Sequence, residues 1–305
     1  MIKSADGILL VDKPTGCSSF DVVRKVRKAW GIKKVGHAGT LDPLASGLMI
    51  ILLGHYTKAS DLLLTEDKSY ETRIVLGSAT NTDDRMGEIV AQSDLSQITR
   101  AQLERALASF MGEQLQIPPT FSAIKIGGER CYKKARRGEV IEMKARSVLF
   151  HELKILAFDF PNVDVFVKCS KGTYIRSLAR DLGNALGGCA HIGELRRVQS
   201  GSFNVKDAIT MTDMEKNDRE SFLRTGPAIF PHLPNIQLSG AQLEHVRCGR
   251  RIEDVEGKRW AADEPIILCV DDSIVGTGFF REGAVYPDRV WLNGSVSKTS
   301  SDTQD

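Results

Sequence analysis

Twelve residues, Gly36-His37-Ala38-Gly39-Thr40-Leu41-Asp42-Pro43-Leu44-Ala45-Ser46-Gly47, constrain this chain more than any other stretch. Three glycines and a proline within them argue against a long helix or a central strand, because glycine frees the backbone and proline fixes it. Asp42 precedes the proline, which biases its own backbone toward an extended conformation. The apolar run Leu48-Met49-Ile50-Ile51-Leu52-Leu53 follows at once and reads as a buried strand. A rigid loop therefore presents one carboxylate at the edge of a packed sheet. Taken locally, the plainer reading is structural, with Asp42 capping a backbone amide in a turn.

Charge adds a second constraint. The 41 basic and 39 acidic residues nearly cancel, but residues 1–40 hold eight Lys/Arg against three Asp. Residues 119–138 hold six Lys/Arg against one Glu. Such local excess is the footprint of a polyanion-binding face, or else simply a solvated surface. Six scattered cysteines (17, 131, 169, 189, 248, 269) contain no C-x-x-C pair, which argues against a disulfide framework and a zinc site. The six histidines show no metal-ligand spacing, and Walker A, G-x-G-x-x-G, H-E-x-x-H and G-x-S-x-G patterns are missing. Nucleotide, zinc and serine-hydrolase chemistry lack support, and no cofactor is expected. Met1–Asp6 does not read as a signal peptide, and no apolar run nears the ~20 residues of a membrane span. A cytoplasmic location is expected.

Along the chain, Gly7–Val11 reads as a strand, and Ser18 with Asp21 as a weak capping box. Phe20, Val23, Val26 or Arg27, and Trp30 form the stripe of the basic helix that follows. A helix from His55 to about Leu64 precedes an alternating strand at 68–77, with Tyr70, Thr72, Ile74 and Leu76 on one face. Asn81–Gly87 is a polar loop. Thr99 and Gln102 cap a helix whose stripe, Leu103, Leu107, Phe110 and Met111, ends at Gly112. Residues 147–160 and 162–169 are strands, and Arg176 falls at a strand-to-helix junction. Arg196-Arg197 follows a glycine-punctuated turn. Pro227, Pro231 and Pro234 mark Thr225–Pro234 as a linker, beyond which a capped helix and strands at Ile266–Val270, Ile274–Phe280 and Arg289–Leu292 suggest a small β-barrel-like module. The last dozen residues are polar and expected to be disordered.

Several ordered blocks together carry a resemblance. They are Gly7-Ile8-Leu9-Leu10-Val11-Asp12-Lys13-Pro14 with Gly16 and Ser18-Ser19, the twelve-residue loop, and Asp67-Lys68-Ser69-Tyr70. Residues 118–139 (PPTFSAIKIGGERCYKKARRGE), Gly172–Gly183 and Leu195-Arg196-Arg197 complete the set. In these blocks the chain resembles the TruB family of bacterial tRNA pseudouridine synthases, which isomerise uridine 55 in the T-loop. The resemblance implies an α+β pseudouridine synthase fold, with a mixed, largely antiparallel central sheet flanked by helices and loops. It implies a catalytic domain at 1–230, a PUA-like RNA-binding module at 235–293, more loosely matched, and a tail at 294–305.

The same resemblance assigns roles. Asp42 is the essential carboxylate, attacking ribose or base or steering departure of the uracil, and Arg176 is its partner. Tyr70 stacks on the target base and is a candidate acceptor of the C5 proton. Tyr174 and Leu195 line the uracil pocket, and His37 enters the T-loop as the nucleotide leaves the stack. Lys13, Lys58, Asp84 and Lys125 match further positions near the active site or RNA. Asn81 departs from the pattern, since family members often carry Asp there. Residues 24–34, 125–137 and 196–197 are expected to grip T-arm phosphates. The expected partner is the tRNA T-arm, with no protein partner, no membrane and a monomeric enzyme. A different class remains open, a tRNA-folding chaperone in which binding rather than catalysis is the main role; a synthase directed at ribosomal or messenger RNA is a third reading.

Overall fold

The computed structural model describes residues 6–215, 220–253, 255 and 260–291; the expected tail at 294–305 lies outside them. Gly7–Lys13 forms β1, and Ser19–Trp30 forms helix α1. Ser18 caps α1 in a full capping box. Its Oγ accepts from the Asp21 amide, and Asp21 accepts from the Ser18 amide, so two donors at the helix start are satisfied. Ser19, Val22, Val23, Val26 and Trp30 are buried. Phe20, expected on that stripe, is 60% exposed, because the phase set by Val22 and Val26 turns it to solvent.

Strands β2 (Val35–His37) and β3 (Ser46–Leu53) flank the twelve-residue loop and pair antiparallel, His37 opposite Ile51. Both faces of β3 are buried. Met49, Ile51 and Leu53 join α1 in one core, and Leu48, Ile50 and Leu52 belong to a second. Burial on both sides explains a continuous apolar run in place of alternation.

A 3-10 turn over Gly54–Ala59 leads into α2 (Ser60–Leu64) and β4 (Lys68–Leu76). The short hairpin β5 (Ser78–Thr80) and β6 (Ile89–Gln92) follows, then α3 (Arg100–Ala108) and β7 (Gly112–Gln116). Phe110 and Met111 lie past the last turn of α3 and not on its stripe, and Gly112 at φ 85° opens the next strand. A second hairpin, β8 (Lys125–Ile126) and β9 (Glu129–Arg130), carries α4 (Cys131–Arg136). Long strands β10 (Arg146–Asp159) and β11 (Asn162–Cys169) precede α5 (Ile175–Ala185), β12 (Ala190–Ser200), β13 (Phe203–Asn204) and β14 (Ile209–Thr210).

These strands make one sheet in the order β14-β1-β3-β12-β4-β11-β10-β7, with β2 on β3 and β13 on β12. It is antiparallel except where β1 meets β14 and β3 meets β12. Helices α1, α3 and α5 cover one face through Val22, Leu103, Leu178 and Leu182. The decisive insertion is β12 between β3 and β4. It puts Arg196 and Arg197, expected beyond a turn, in the middle of a central strand beside Ser46 and Gly47.

The C-terminal part is a separate sheet of β15 (Asn235–Gln237), β16 (Pro265–Val270), β17 (Ser273–Arg281) and β18 (Ala284–Val290), with helix α6 (Gly240–Arg247). The strand expected at Arg289–Leu292 starts earlier. Positive φ at Glu282 and Gly283 reverses the chain there, so pairing begins at Arg281 and Ala284. Among the described residues the strands form an open sheet with one bridge from Ile252 to Val285. Thr225–Pro234 is no free linker. The Gly226 amide donates to the Tyr56 hydroxyl at 2.8 Å, and Ile229 and Phe230 are buried with Leu48, Ile267 and Trp291. No helix among the described residues is long and apolar enough to cross a membrane.

Candidate active site

The Asp42 loop is held from several sides. Ser19, buried in the first turn of α1, uses one hydroxyl twice: it donates to the Leu41 carbonyl at 2.9 Å and accepts from the Leu41 amide at 2.8 Å. The Gly16 amide donates to the Pro43 carbonyl at 2.8 Å, and the Ala45 amide closes a turn onto the Asp42 carbonyl at 3.0 Å. Glycine is required at Gly47, with φ 98°, because a Cβ there would lie 2.2 Å from the Arg197 carbonyl oxygen.

Arg176 comes from the first turn of α5. Its Nε pairs with Asp42 Oδ2 at 2.9 Å, while its Nη1 donates to the Thr82 carbonyl at 3.0 Å and its Nη2 to the Phe121 carbonyl at 2.8 Å. The guanidinium side chain is 4% exposed, whereas that of Asp42 is 37% exposed, toward the cleft. The start of α5 is itself clamped: Gln116 exchanges hydrogen bonds with the amide and carbonyl of Tyr174, and Ser177 donates to the Ile117 carbonyl. Burial pushes the Asp42 carboxyl above its ordinary range, Arg176 pulls it back, and Asp84 adds to the rise.

The polar loop after β5 supports Arg176. Asp84 is buried; its Oδ1 accepts from Thr82 Oγ1 at 2.8 Å and the Met86 amide at 2.9 Å. Arg180 reaches Asp83 from α5, and the Arg85 amide donates to Ile192 of β12. Asn81 accepts from the Glu88 amide at 3.1 Å through its carbonyl oxygen, a contact that Asp would also make.

Asp42, Tyr70, Tyr174, Arg176 and Leu195 line one cleft of about 320 Å³, together with Lys68 and Arg197. Burial pushes the Tyr70 phenol up to about 12, against the pull of Arg197, so it is protonated at neutral pH. Burial also raises Tyr174. Lys68 is pushed down to about 8 by burial and donates to the carbonyls of Leu64 and Glu66.

The remaining expected residues are spread out. His37 sits on β2, its Nδ1 buried without a partner among the described residues, and burial, with Arg197 and Arg130 beyond it, lowers its pKa. Lys13 is fully buried and ties the turn after β1 through the carbonyls of Pro14 and Cys17, close enough for Asp42 to oppose the lowering of its pKa by burial. Lys58 points away from the cleft and donates to the Val290 carbonyl of β18. Lys125 is exposed on the β8–β9 hairpin.

Three expected phosphate grips are otherwise engaged. Arg197 is 2% exposed and bonds the Leu48 carbonyl at 2.7 Å and the Gly39 carbonyl at 3.2 Å. Arg196 pairs with Asp12, and Arg137 with Glu129 and Glu139. A strand interior and nearby carboxylates claim these charges before any phosphate does. Ser19, Lys68, Gln116 and Arg197 are among the positions that sequence reasoning did not assign to the site. Ser19 and Arg197 stood inside matched blocks, whereas Gln116 carried no signal. Among the described residues no His, Cys, Asp and Glu cluster is arranged to hold a metal ion.

Comparison with known proteins first defines the class, that of pseudouridylate synthases. Residues 27–175 match the family described as TruB family pseudouridylate synthase (N terminal domain), and 176–226 the tRNA pseudouridylate synthase B C-terminal domain. The tRNA pseudouridine synthase B of Ruegeria pomeroyi is 41% identical over 296 residues, covering 95% of this chain and 96% of that protein. That of Azoarcus sp. strain BH72 is 38% identical, covering 93% and 94%. The chain belongs to the TruB family. A solved H/ACA RNP bound to a substrate RNA containing 2'-deoxyuridine superposes with a TM-score of 0.72 at 22% identity, covering 94% of this chain and 85% of that one, which extends the likeness of fold.

Proposed function

We propose that this protein isomerises uridine 55 in the T-loop of tRNA to pseudouridine, with Asp42 as the essential carboxylate. The observation that carries the reading is the buried Arg176 holding Asp42 at 2.9 Å in a cleft shared with Tyr70, Tyr174 and Leu195. The reaction breaks the N1–C1′ bond, rotates the freed uracil and forms a C5–C1′ bond. The C5 proton leaves and N1, freed from the sugar, takes one up, so atoms balance and no electrons are lost or gained. Asp42 must be ionised to attack or to steady the developing positive charge, and Arg176 supports that state against burial.

The target base has to leave the T-loop stack to reach such a cleft, a cost of a few kcal/mol that RNA contacts offset. Tyr70 and Tyr174 offer aromatic faces to it, and Leu195 an apolar wall. Because the Tyr70 phenol is protonated at neutral pH, its role at rest is to stack and donate; taking the C5 proton requires it to give up its own first. His37 enters the gap in the T-loop, and Lys13 and Asp84 tune Asp42. Lys125 belongs to the RNA-facing hairpin.

Residues 1–230 act as the catalytic domain, and 235–293 as a PUA-like module reaching toward the acceptor stem, with Lys58 at their junction. The enzyme works as a cytoplasmic monomer. Release of tritium from [5-³H]uridine in a T-arm transcript, followed by mapping of the product, tests the reading. Pseudouridine at position 55 that disappears in Asp42→Asn is the expected result. Full activity in Asp42→Asn overturns the mechanism, and tRNA refolding without isomerisation favours the chaperone.

A further inference from the structure

One cation in the cleft wall, beside the Tyr70 phenol, also reaches the backbone of the Asp42 loop. Arg197 lies wholly inside the protein on β12, two residues after Leu195, yet among the described residues it faces no carboxylate at hydrogen-bond distance. Its Nε donates to the Leu48 carbonyl at 2.7 Å and its Nη2 to the Gly39 carbonyl at 3.2 Å. Those carbonyls stand at the two ends of the segment that contains Asp42. The backbone repeats the same clamp: Arg197 is registered against Gly47 in the parallel pairing of β12 with β3. A Cβ on Gly39 would lie 3.2 Å from Arg197 Nη1, so the loop fits closely around the guanidinium.

Burying a guanidinium is costly, and a methionine or leucine would fill the same space in a core at less expense. What an apolar side chain lacks is a planar fork able to hold two carbonyls at once. We infer that Arg197 is a positioning residue for the isomerisation, fixing both ends of the Asp42 loop so that the carboxylate stays in register with Arg176 and the flipped nucleotide. This rests on the reading of Asp42 given above. Tyr70 lies on the same wall, opposite Arg197 in the register of β4 and β12, and its phenol is a third side-chain partner of the guanidinium. Loop, strand and aromatic platform thus converge on one side chain.

Two kinds of measurement test it. Amide hydrogen exchange on the free protein reads the loop without any turnover. In Arg197→Lys, which keeps the charge but loses the fork, protection of residues 39–48 is expected to fall by roughly 10-fold or more while the helices keep theirs. Unchanged protection overturns the inference, whether or not the protein proves to be a synthase. Single-turnover assays then read the consequence. Arg197→Lys should lower the rate by roughly 10- to 100-fold, as displacement of a reacting group by a fraction of an ångström does, and leave the tRNA Kd within about 2-fold.

Gly39→Ala crowds the same contact from the loop side, at a backbone φ of 100° that alanine rarely adopts, and should lower loop protection and rate together. If tRNA binding weakens instead and the rate at saturation survives, Arg197 serves the RNA and not the loop. Absence of turnover in the unsubstituted protein sinks the proposed reaction, while the exchange experiment still decides whether Arg197 holds the loop.

Discussion

Arg176 approaches Asp42 through its Nε. Nε takes the carboxylate oxygen Oδ2 at 2.9 Å, while both Nη atoms are committed to the carbonyls of Thr82 and Phe121. The guanidinium is therefore immobilised by the backbone before it touches the acid, and it supplies charge at a fixed point without enclosing the carboxylate.

A pH profile should expose this arrangement. Burial raises the Asp42 carboxyl and Arg176 lowers it, so the ionised, active form is lost as pH falls through a value above the ordinary carboxylate range. In Arg176→Met the opposing charge is gone, and the acid limb of the single-turnover rate should move to still higher pH while the plateau drops. The variant should also lose stability, near or below the lower end of the ~3–5 kcal/mol seen on breaking buried pairs, because Asp42 keeps solvent contact. An acid limb that stays in place would remove Arg176 from the control of Asp42.

Ser19→Ala removes a hydroxyl that satisfies both backbone groups of Leu41. Two buried groups are then left without partners, and a loss of about 1–3 kcal/mol is expected in urea unfolding. The catalytic rate should fall as well, since Leu41 is the residue before the carboxylate.

Gly47→Ala places a methyl group 2.2 Å from the Arg197 carbonyl at a backbone angle that alanine rarely adopts. The strands β3 and β12 must separate to admit it. Destabilisation above about 4 kcal/mol, in the exceptional range for one substitution, is expected from the thermal midpoint.

The basic hairpin divides its arginines and lysines into two groups. Arg137 is held by Glu129 and Glu139, whereas Lys133 is exposed and Lys134 half-buried on α4. Replacing Lys133 and Lys134 by Ala should flatten the salt dependence of tRNA binding by roughly 0.7–0.9 in log–log slope for each phosphate that is no longer neutralised. Arg137→Ala should change the slope less. Equal changes would mean that RNA binding breaks the Arg137 pairs.

Tyr56→Phe probes the junction with the C-terminal sheet. The Tyr56 hydroxyl accepts from the Gly226 amide, and its ring packs edge-on against Trp291 at 5.0 Å. The ring packing survives the substitution but the amide loses its partner, so a loss of about 1–3 kcal/mol is expected from denaturant unfolding.

Much of this was legible in the residues themselves. Proline after Asp42 and the unbroken run Leu48–Leu53 announced a fixed acid beside a strand covered on both faces, and the capping boxes located α1, α3 and α6. What escaped was set by long-range pairing. Nothing local in Leu195-Arg196-Arg197 says that this strand slots between β3 and β4, so its arginines read as surface cations. Gln116 likewise acquires its purpose only when β7 ends beside Tyr174. The prolines at 227–234 punctuate sequence as a linker would, yet Ile229 and Phe230 are drawn into a core built from segments far away.

The partners of the Asp42 loop also carry a timetable. Leu48 and Gly39 are separated from Arg197 by 149 and 158 positions in the chain. Closing so wide a circuit costs more chain entropy than closing a local hairpin. A nascent chain leaving the ribosome carries the complete carboxylate loop through 149 further residues before Arg197 has been made. The clamp is complete only once β12 lies between β3 and β4, so the strand that fixes the acid is made well after the acid itself.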